Sequence, residues 1–296
     1  MGNCPFASRI FQSESEREPR DVLPGVGPVS WQLQREIVLL LAWGPAILLQ
    51  FAHPLIARAI ADHSTFRLER WGRLRRFHRT LNAMLGLCFG SEAESRNVVA
   101  RINAIHNRVQ GQLPEAEGVF RPGTAYSARD PALLAWVHAT LIDMNLQVYE
   151  LYVRDLSPAQ KDGYCAEASA IEPDFGIPQG RLPRSFRELR QYVDSMLVSG
   201  QIAVGDTARA LARGIVYPPV PRVARPATWL MRLPTIGLLP PTVREAYGFS
   251  WRPRDERMLR LSARLVRNVS PLIPAVVRHW PAARTAAVSR KLAVGS

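Results

Sequence analysis

The residues best suited to chemistry in this 296-residue chain are six histidines, His53, His63, His78, His106, His138 and His279, and an Arg-x-x-Arg-Thr row formed by Arg76, Arg79 and Thr80. A zinc or di-iron centre in a helical protein needs several converging ligands, usually with a Glu-x-x-His pair, and no such pair occurs here. Haem asks less of the protein, because the porphyrin supplies most of the donors and one axial histidine suffices. His106 borders a Val99, Ile102, Val109 stripe, and His138 lies between Leu134 and Leu141. Each ring therefore points towards a core edge where a macrocycle could lie between helices. The ordinary role of such a residue is a hydrogen-bonded core histidine. His53 precedes a proline and His63 follows Asp62, positions suited to hydrogen bonding or capping. Spacing alone does not choose among them.

Arg76, Arg79 and Thr80 fall on one side of a helix at i, i+3 and i+4. Two guanidiniums and a hydroxyl there can grip carboxylates, such as haem propionates, or polarise bound oxygen. The plainer reading is a solvated basic face. Thr80, flanked by Leu81 and close to Met84, points instead to a partly buried patch.

Other chemistries lack their motifs. Gly25-Val26-Gly27 runs into proline without a third glycine, so no dinucleotide fingerprint forms, and no phosphate-binding loop or serine nucleophile elbow occurs. Cys4, Cys88 and Cys165 are too few and too scattered for a disulfide framework or a cysteine metal cage, which suits a reducing, cytoplasmic setting.

The elements that must position these residues read as helices. Residues 1–27 are polar and rich in Gly and Pro, a surface arm, and the ordered fold is expected from Pro28. Ile37 to Phe51 is the most apolar stretch, broken by Gly44-Pro45, and reads as one or two buried core helices, too short and interrupted for a bilayer span. Over 72–88, Leu74, Phe77, Leu81, Leu85 and Cys88 share a stripe that Gly90 stops. Ser91 and Glu94 form a capping box for a helix expected to run to Gly111, with Val98, Val99, Ile102, Ile105 and Val109 inward. Further helices open at Asp130-Pro131 and Ser157-Pro158 and occupy 184–199, 205–216 and 254–269, with proline-rich loops around 218–241 and 271–281. No run alternates like a strand, so the fold class is all-α. The expected organisation is an arm over 1–27, one helical domain over 28–255, and a basic helical extension over 256–296 packed on that domain.

The net charge of +13 is local. Residues 66–80 hold six arginines against one glutamate, and residues 252–296 hold nine arginines and a lysine against two acids; elsewhere the charges nearly cancel. With no reading helix or stacking platform, no nucleic acid partner is expected. The C-terminal cluster is the part expected to touch an anionic membrane surface.

Six segments in order, QFAHPLIARAIADHSTF, RFHRTLNAMLGLCFG, IHNRVQG, YSARDPALLAWVHATLIDMNLQVYELY, LPRSFRELRQYVDSML and LLPPTVREAYGFSW, resemble the successive blocks of the oxygenase family of the rubber oxygenases (latex-clearing proteins) and the ER-bound oxygenase of mycophenolic acid biosynthesis. The likeness runs roughly from residue 35 to residue 255. It implies a globin-like helical core with additional helices, holding one haem b, with dioxygen activated at the iron and an electron-rich, alkene-like substrate. It implies His106 as the axial ligand, by motif order, and Arg76 and Thr80 as the family's Arg and Thr. The family's lysine is replaced by Arg79, which hardly deprotonates. Asp62 and His63 fall near the family's proposed catalytic glutamate, whose role does not transfer to them. The expected function is thus a haem-dependent oxygenase acting on a small apolar or lipid-like substrate. The rival is a non-catalytic helical protein of the same fold that binds a lipid, a membrane or a partner.

Overall fold

The computed structural model describes residues 27–63, 70–218, 223 and 225–294. Apart from Gly27, the expected arm lies outside the described residues. The chain enters at α1 (Pro28–Gln34), whose proline sits where no N–H is needed. The Glu167 carboxylate accepts from the free N–H groups of Val29 and Ser30 at 3.2 and 2.6 Å, capping that end from a distant helix. The apolar stretch forms a 3₁₀ helix (Ile37–Ala42) and then α2 (Trp43–Phe51), with the break at Ala42 and Gly44-Pro45 inside the first turn of α2. Next come α3 (Pro54–His63), α4 (Arg70–Phe89) and α5 (Glu92–His106).

The α5 start is the expected capping box: Glu94 N–H donates to Ser91 Oγ at 3.3 Å, and Ser91 N–H to Glu94 Oε2 at 2.7 Å. Its end comes earlier than expected. After His106 the chain extends into β1 (Gln110–Gln112), paired antiparallel with β2 (Ala125–Ser127). Three-residue strands with glutamine and glycine carry no alternating apolar signal, which is why the sequence shows only helix here. Ile105, placed inward by periodicity, is 62% exposed, because the buried stripe of α5 stops one turn before the helix does.

The long α6 (Pro131–Tyr152) is the axis of the molecule, packed by the 3₁₀ helix, α2, α7 (Pro158–Ser169), α9 (Phe186–Val198) and α13 (Pro253–Val269). Trp136 and Tyr149 are among its fully buried side chains. Trp136 Nε1 donates to the Leu49 carbonyl at 3.3 Å, and the Tyr247 hydroxyl to the Leu48 carbonyl at 2.7 Å. The Leu49 carbonyl, which the end of α2 leaves without a helical partner, is thus satisfied inside the core, where leaving it bare would cost about 1–3 kcal/mol, while the Leu48 carbonyl accepts the Tyr247 proton in addition to the Ala52 N–H at 3.0 Å. The buried Asp143 of α6 pairs with Arg190 of α9 at 3.1 Å. Among the described residues the strands β1 and β2 are the only sheet, and the fold is all-α.

Between α7 and α9 lies the short α8 (Glu172–Phe175), and α10 (Asp206–Val216) packs on α2 and α3. The stretch expected as loop over 218–241 contains α11 (Arg225–Gly237), which keeps Pro234 within the helix, and runs up to α12 (Pro241–Ala246). Its prolines predict a loop, yet α11 packs on α2 and α13, and that burial offsets the one backbone hydrogen bond Pro234 removes. The end is α14 (Ala275–Arg278) and α15 (Pro281–Val294), the latter against α4. Glu36, 1% exposed, ties the end of the chain to its start: Arg278 Nε lies 3.2 Å and His279 Nε2 3.1 Å from its carboxylate. No single helix among the described residues is long and apolar enough to cross a membrane. The Ile37–Phe51 and Pro54–His63 segments could do so only as a pair bent by 104°, and their apolar residues are largely core.

Candidate functional site

His106 is the last helical residue of α5, half-buried beside a small second core of Leu134, Ala135, Phe175, Ile177 and Leu182, on which Val99 and Ile102 of its own helix pack. Its Nδ1 is buried and without a hydrogen-bond partner. Burial, and next the positive charge of Arg129, lower its pKa below the ordinary 6.5, so the ring is neutral at pH 7. His138, on α6, is close enough that its own pKa responds to a charge on His106. Burial is the larger cause, and together they push it down to about 4. Its ring tilts against Phe175 at 5.4 Å. Two neutral imidazoles from adjacent helices thus share one apolar corner.

The end of α5 is fixed by a chain of polar contacts. Asn103, one turn before His106, donates from Nδ2 to the Asp174 carbonyl at 2.8 Å, and its Oδ1 accepts from Arg129 Nη1 at 2.7 Å. Gly176, with φ +68°, leaves the space that guanidinium needs: a Cβ there would stand 2.9 Å from Arg129 Nη2. Asn103 could have been found from its i, i−3 spacing to His106. Arg129 and Gly176 carry no local signal, since they meet α5 only through the fold.

Arg76, Arg79 and Thr80 lie on α4, which packs along α5. The side chain of Arg76 is outside the described residues. Arg79 and Thr80 are both exposed, so the partly buried patch expected around Thr80 is open instead. Gly86 of α4 faces Val98 of α5 across the two-residue turn at Gly90 and Ser91. At equal rise per residue, that hairpin brings Arg79 and Thr80 to about the level of His106. Among the described residues, the half-buried apolar side chains of α4 from Leu81 to Leu87 join neither hydrophobic core, so α4 packs as a wall rather than as part of the interior.

The other histidines fall elsewhere. His53 is 1% exposed, against Phe120 at 5.2 Å, and burial holds its pKa near 4; its Nδ1 also lacks a partner. His63 Nε2 lies 3.0 Å from the Gln110 carbonyl, and the adjacent Asp62 accepts from Tyr126 Oη at 2.6 Å and pairs with Arg58. These contacts hold α3 to the strand pair. His78 is exposed on α4. A cleft of about 700 Å³ lies among α4, α5 and α15, lined by Leu85, Asn97, Val98 and Arg101, on a different face of α5 from His106.

Among the described residues no group of three or more His, Cys, Asp or Glu could hold a bare metal ion. A haem needs only one neutral imidazole with a free ring nitrogen beside apolar walls, and His106 supplies both.

A family model described as ER-bound oxygenase mpaB/B'/Rubber oxygenase, catalytic domain, matches residues 31–268. The chain belongs to this oxygenase family. No curated protein and no solved structure matches it. The match to the mpaB/rubber oxygenase catalytic domain takes in His106, His138, Arg129 and the α4 row, and it reaches through α13 almost to its end. Members of the family are oxygenases, so the class of this chain is oxidoreductase.

Proposed function

We propose that the protein is a haem b-dependent oxygenase that uses dioxygen on a small apolar or lipid-like substrate, with alkenes the favoured class. The observation that carries this reading is His106: neutral, half-buried, with an unpartnered ring nitrogen, at the end of a helix anchored by Asn103 and Arg129. When bound there, the haem would supply the iron at which dioxygen is activated.

The chain's own groups have separate tasks. His106 would hold the iron, and its low pKa keeps protons from competing for the ring. Asn103 and Arg129 orient the helix end that carries it. Arg76 and Thr80 would hold the propionates. Arg79 and Thr80, as hydrogen-bond donors, would stabilise negative charge developing on oxygen. Arginine keeps its proton, so Arg79 serves as a fixed donor where the family's lysine could shuttle one. Neutral His138, against Phe175 and flanked along α6 by Leu134 and Leu141, would complete a wall that suits an apolar substrate. A reducing, cytoplasmic setting suits the free thiols Cys88 and Cys165, which burial pushes up to about 12.

The test is turnover of haem-loaded protein with an apolar alkene under isotopically labelled dioxygen. Label should enter the product, and consumption of dioxygen should require both haem and substrate. Product that takes its oxygen from water, or turnover that persists without haem, would overturn the proposal.

A further inference from the structure

The helix α13 is anchored by one face and bare on the other. Leu259 and Ala263 are buried, and Arg267 pairs with the exposed Asp155 carboxylate at 2.6 Å and donates to the Glu150 carbonyl at 3.2 Å. Outward, Met258, Leu261, Leu265 and Val269 recur at i, i+3, i+7 and i+11, and Leu261 and Leu265 are 56% and 65% exposed. A second exposed row, Arg257, Arg260 and Arg264, follows the same spacing beside it. The chain then passes into Leu272, Val276 and Val277, 81%, 58% and 63% exposed.

The acids of the segment do not neutralise this face. Asp255 accepts from the Arg252 N–H at 2.9 Å, closing the start of the helix, and Glu256 accepts from Trp251 Nε1 at 3.1 Å and from Arg260 at 2.8 Å. After Glu256 the chain contains no further Asp or Glu. Asp155 is taken up by Arg267 and Glu256 by Arg260, so among the described residues Arg257 and Arg264 make no ion pair and lie as free cations next to a leucine stripe that water solvates poorly. A contiguous exposed apolar row of this kind marks an interaction site. Nucleic acid would use the arginines and leave the leucines in water; a protein groove would use the leucines without needing the unpaired arginines.

We infer that the outward face of α13, continued by residues 272–277, is a docking surface for an anionic lipid membrane. The apolar row enters the boundary between headgroups and acyl chains while the arginine row meets lipid phosphates. This surface is independent of the haem, since α13 is reached through α6 and α11 and not through His106.

The test is co-flotation of the full chain with vesicles of phosphatidylcholine containing about 30 mol% phosphatidylserine, against phosphatidylcholine alone. The protein should float with the anionic vesicles and be released by high salt. Leu261→Glu with Leu265→Glu should weaken binding on the order of tenfold or more at unchanged melting temperature. Arg257→Gln with Arg264→Gln, which keeps the apolar row, should weaken binding to anionic vesicles roughly tenfold and leave the neutral ones unaffected. Failure of the unaltered protein to float with anionic vesicles, or binding by either double variant equal to that of the unaltered protein, would overturn the inference. So would a finding by sedimentation velocity that the leucine variant only dissociates a dimer, without change in vesicle binding.

Discussion

Arg129 donates its Nη1 proton to Asn103 Oδ1 at 2.7 Å, one helical turn before His106, and its positive charge is the second cause, after burial, of the lowered His106 pKa. One arginine therefore both positions the end of α5 and keeps its histidine deprotonated. Arg129→Gln keeps a donor for Asn103 and removes the charge. The His106 pKa should rise towards 6.5, read from the ring proton shifts in a pH titration. In haem-loaded protein the pH midpoint for loss of haem on acidification should rise with it, because the proton competes for the same nitrogen. An unchanged midpoint would remove Arg129 from this role.

Gly176→Ala should weaken the same support from the other side. Alanine at φ +68° costs about 1 kcal/mol of backbone strain, and its Cβ would press on the Arg129 guanidinium. A loss of about 1–2 kcal/mol in denaturant melts is expected, with the His106 pKa raised as in the Arg129 variant.

Acid sensitivity follows from His53. Its pKa is about 4 in the fold against an ordinary 6.5, so the unfolded chain takes the proton first as pH falls. Its contribution is intact above pH 6.5 and is lost as the pH falls to about 4, a difference of about 3 kcal/mol. His138 acts in the same sense over the same range, whereas Glu117 and Asp143, whose carboxyls burial pushes up, act in the opposite one. The difference between the protein and His53→Gln in unfolding free energy at pH 7 and pH 4.5 isolates the histidine, and the variant should show the shallower slope.

Glu36→Gln tests the closure of the chain ends. The carboxylate is 2% exposed and lies 3.2 Å from Arg278 and 3.8 Å from Arg35, with His279, whose pKa burial lowers, at 3.1 Å, so its loss leaves two part-buried arginines without their anion. A destabilisation of about 3 kcal/mol is expected, with earlier proteolysis near residue 274.

The helices around the site were legible because their ends are written locally: Ser91 with Glu94, Asp130 with Pro131 and Ser157 with Gln160 each cap their helix as their types require. The candidate ligand was legible from motif order and from the stripe beside it. Its support was not, because Arg129, Gly176 and Asp174 reach α5 only after α6 and α8 have folded against it. Periodicity also failed at Ile105, where the helix outruns its buried face, and at Thr80, where flanking apolar residues belong to a wall and not to a core. The strand pair was invisible for a related reason: its hydrogen bonds use backbone, and its side chains carry no pattern.

The most direct measurement of the central claim is the absorption spectrum of the purified protein with haem added, compared with His106→Ala and His138→Ala at equal helical content. The unaltered protein and His138→Ala should show a Soret band, and His106→Ala should lose it or shift it. A protein that shows no band, or a band that survives unchanged in His106→Ala, would contradict the assignment of His106 as the haem ligand.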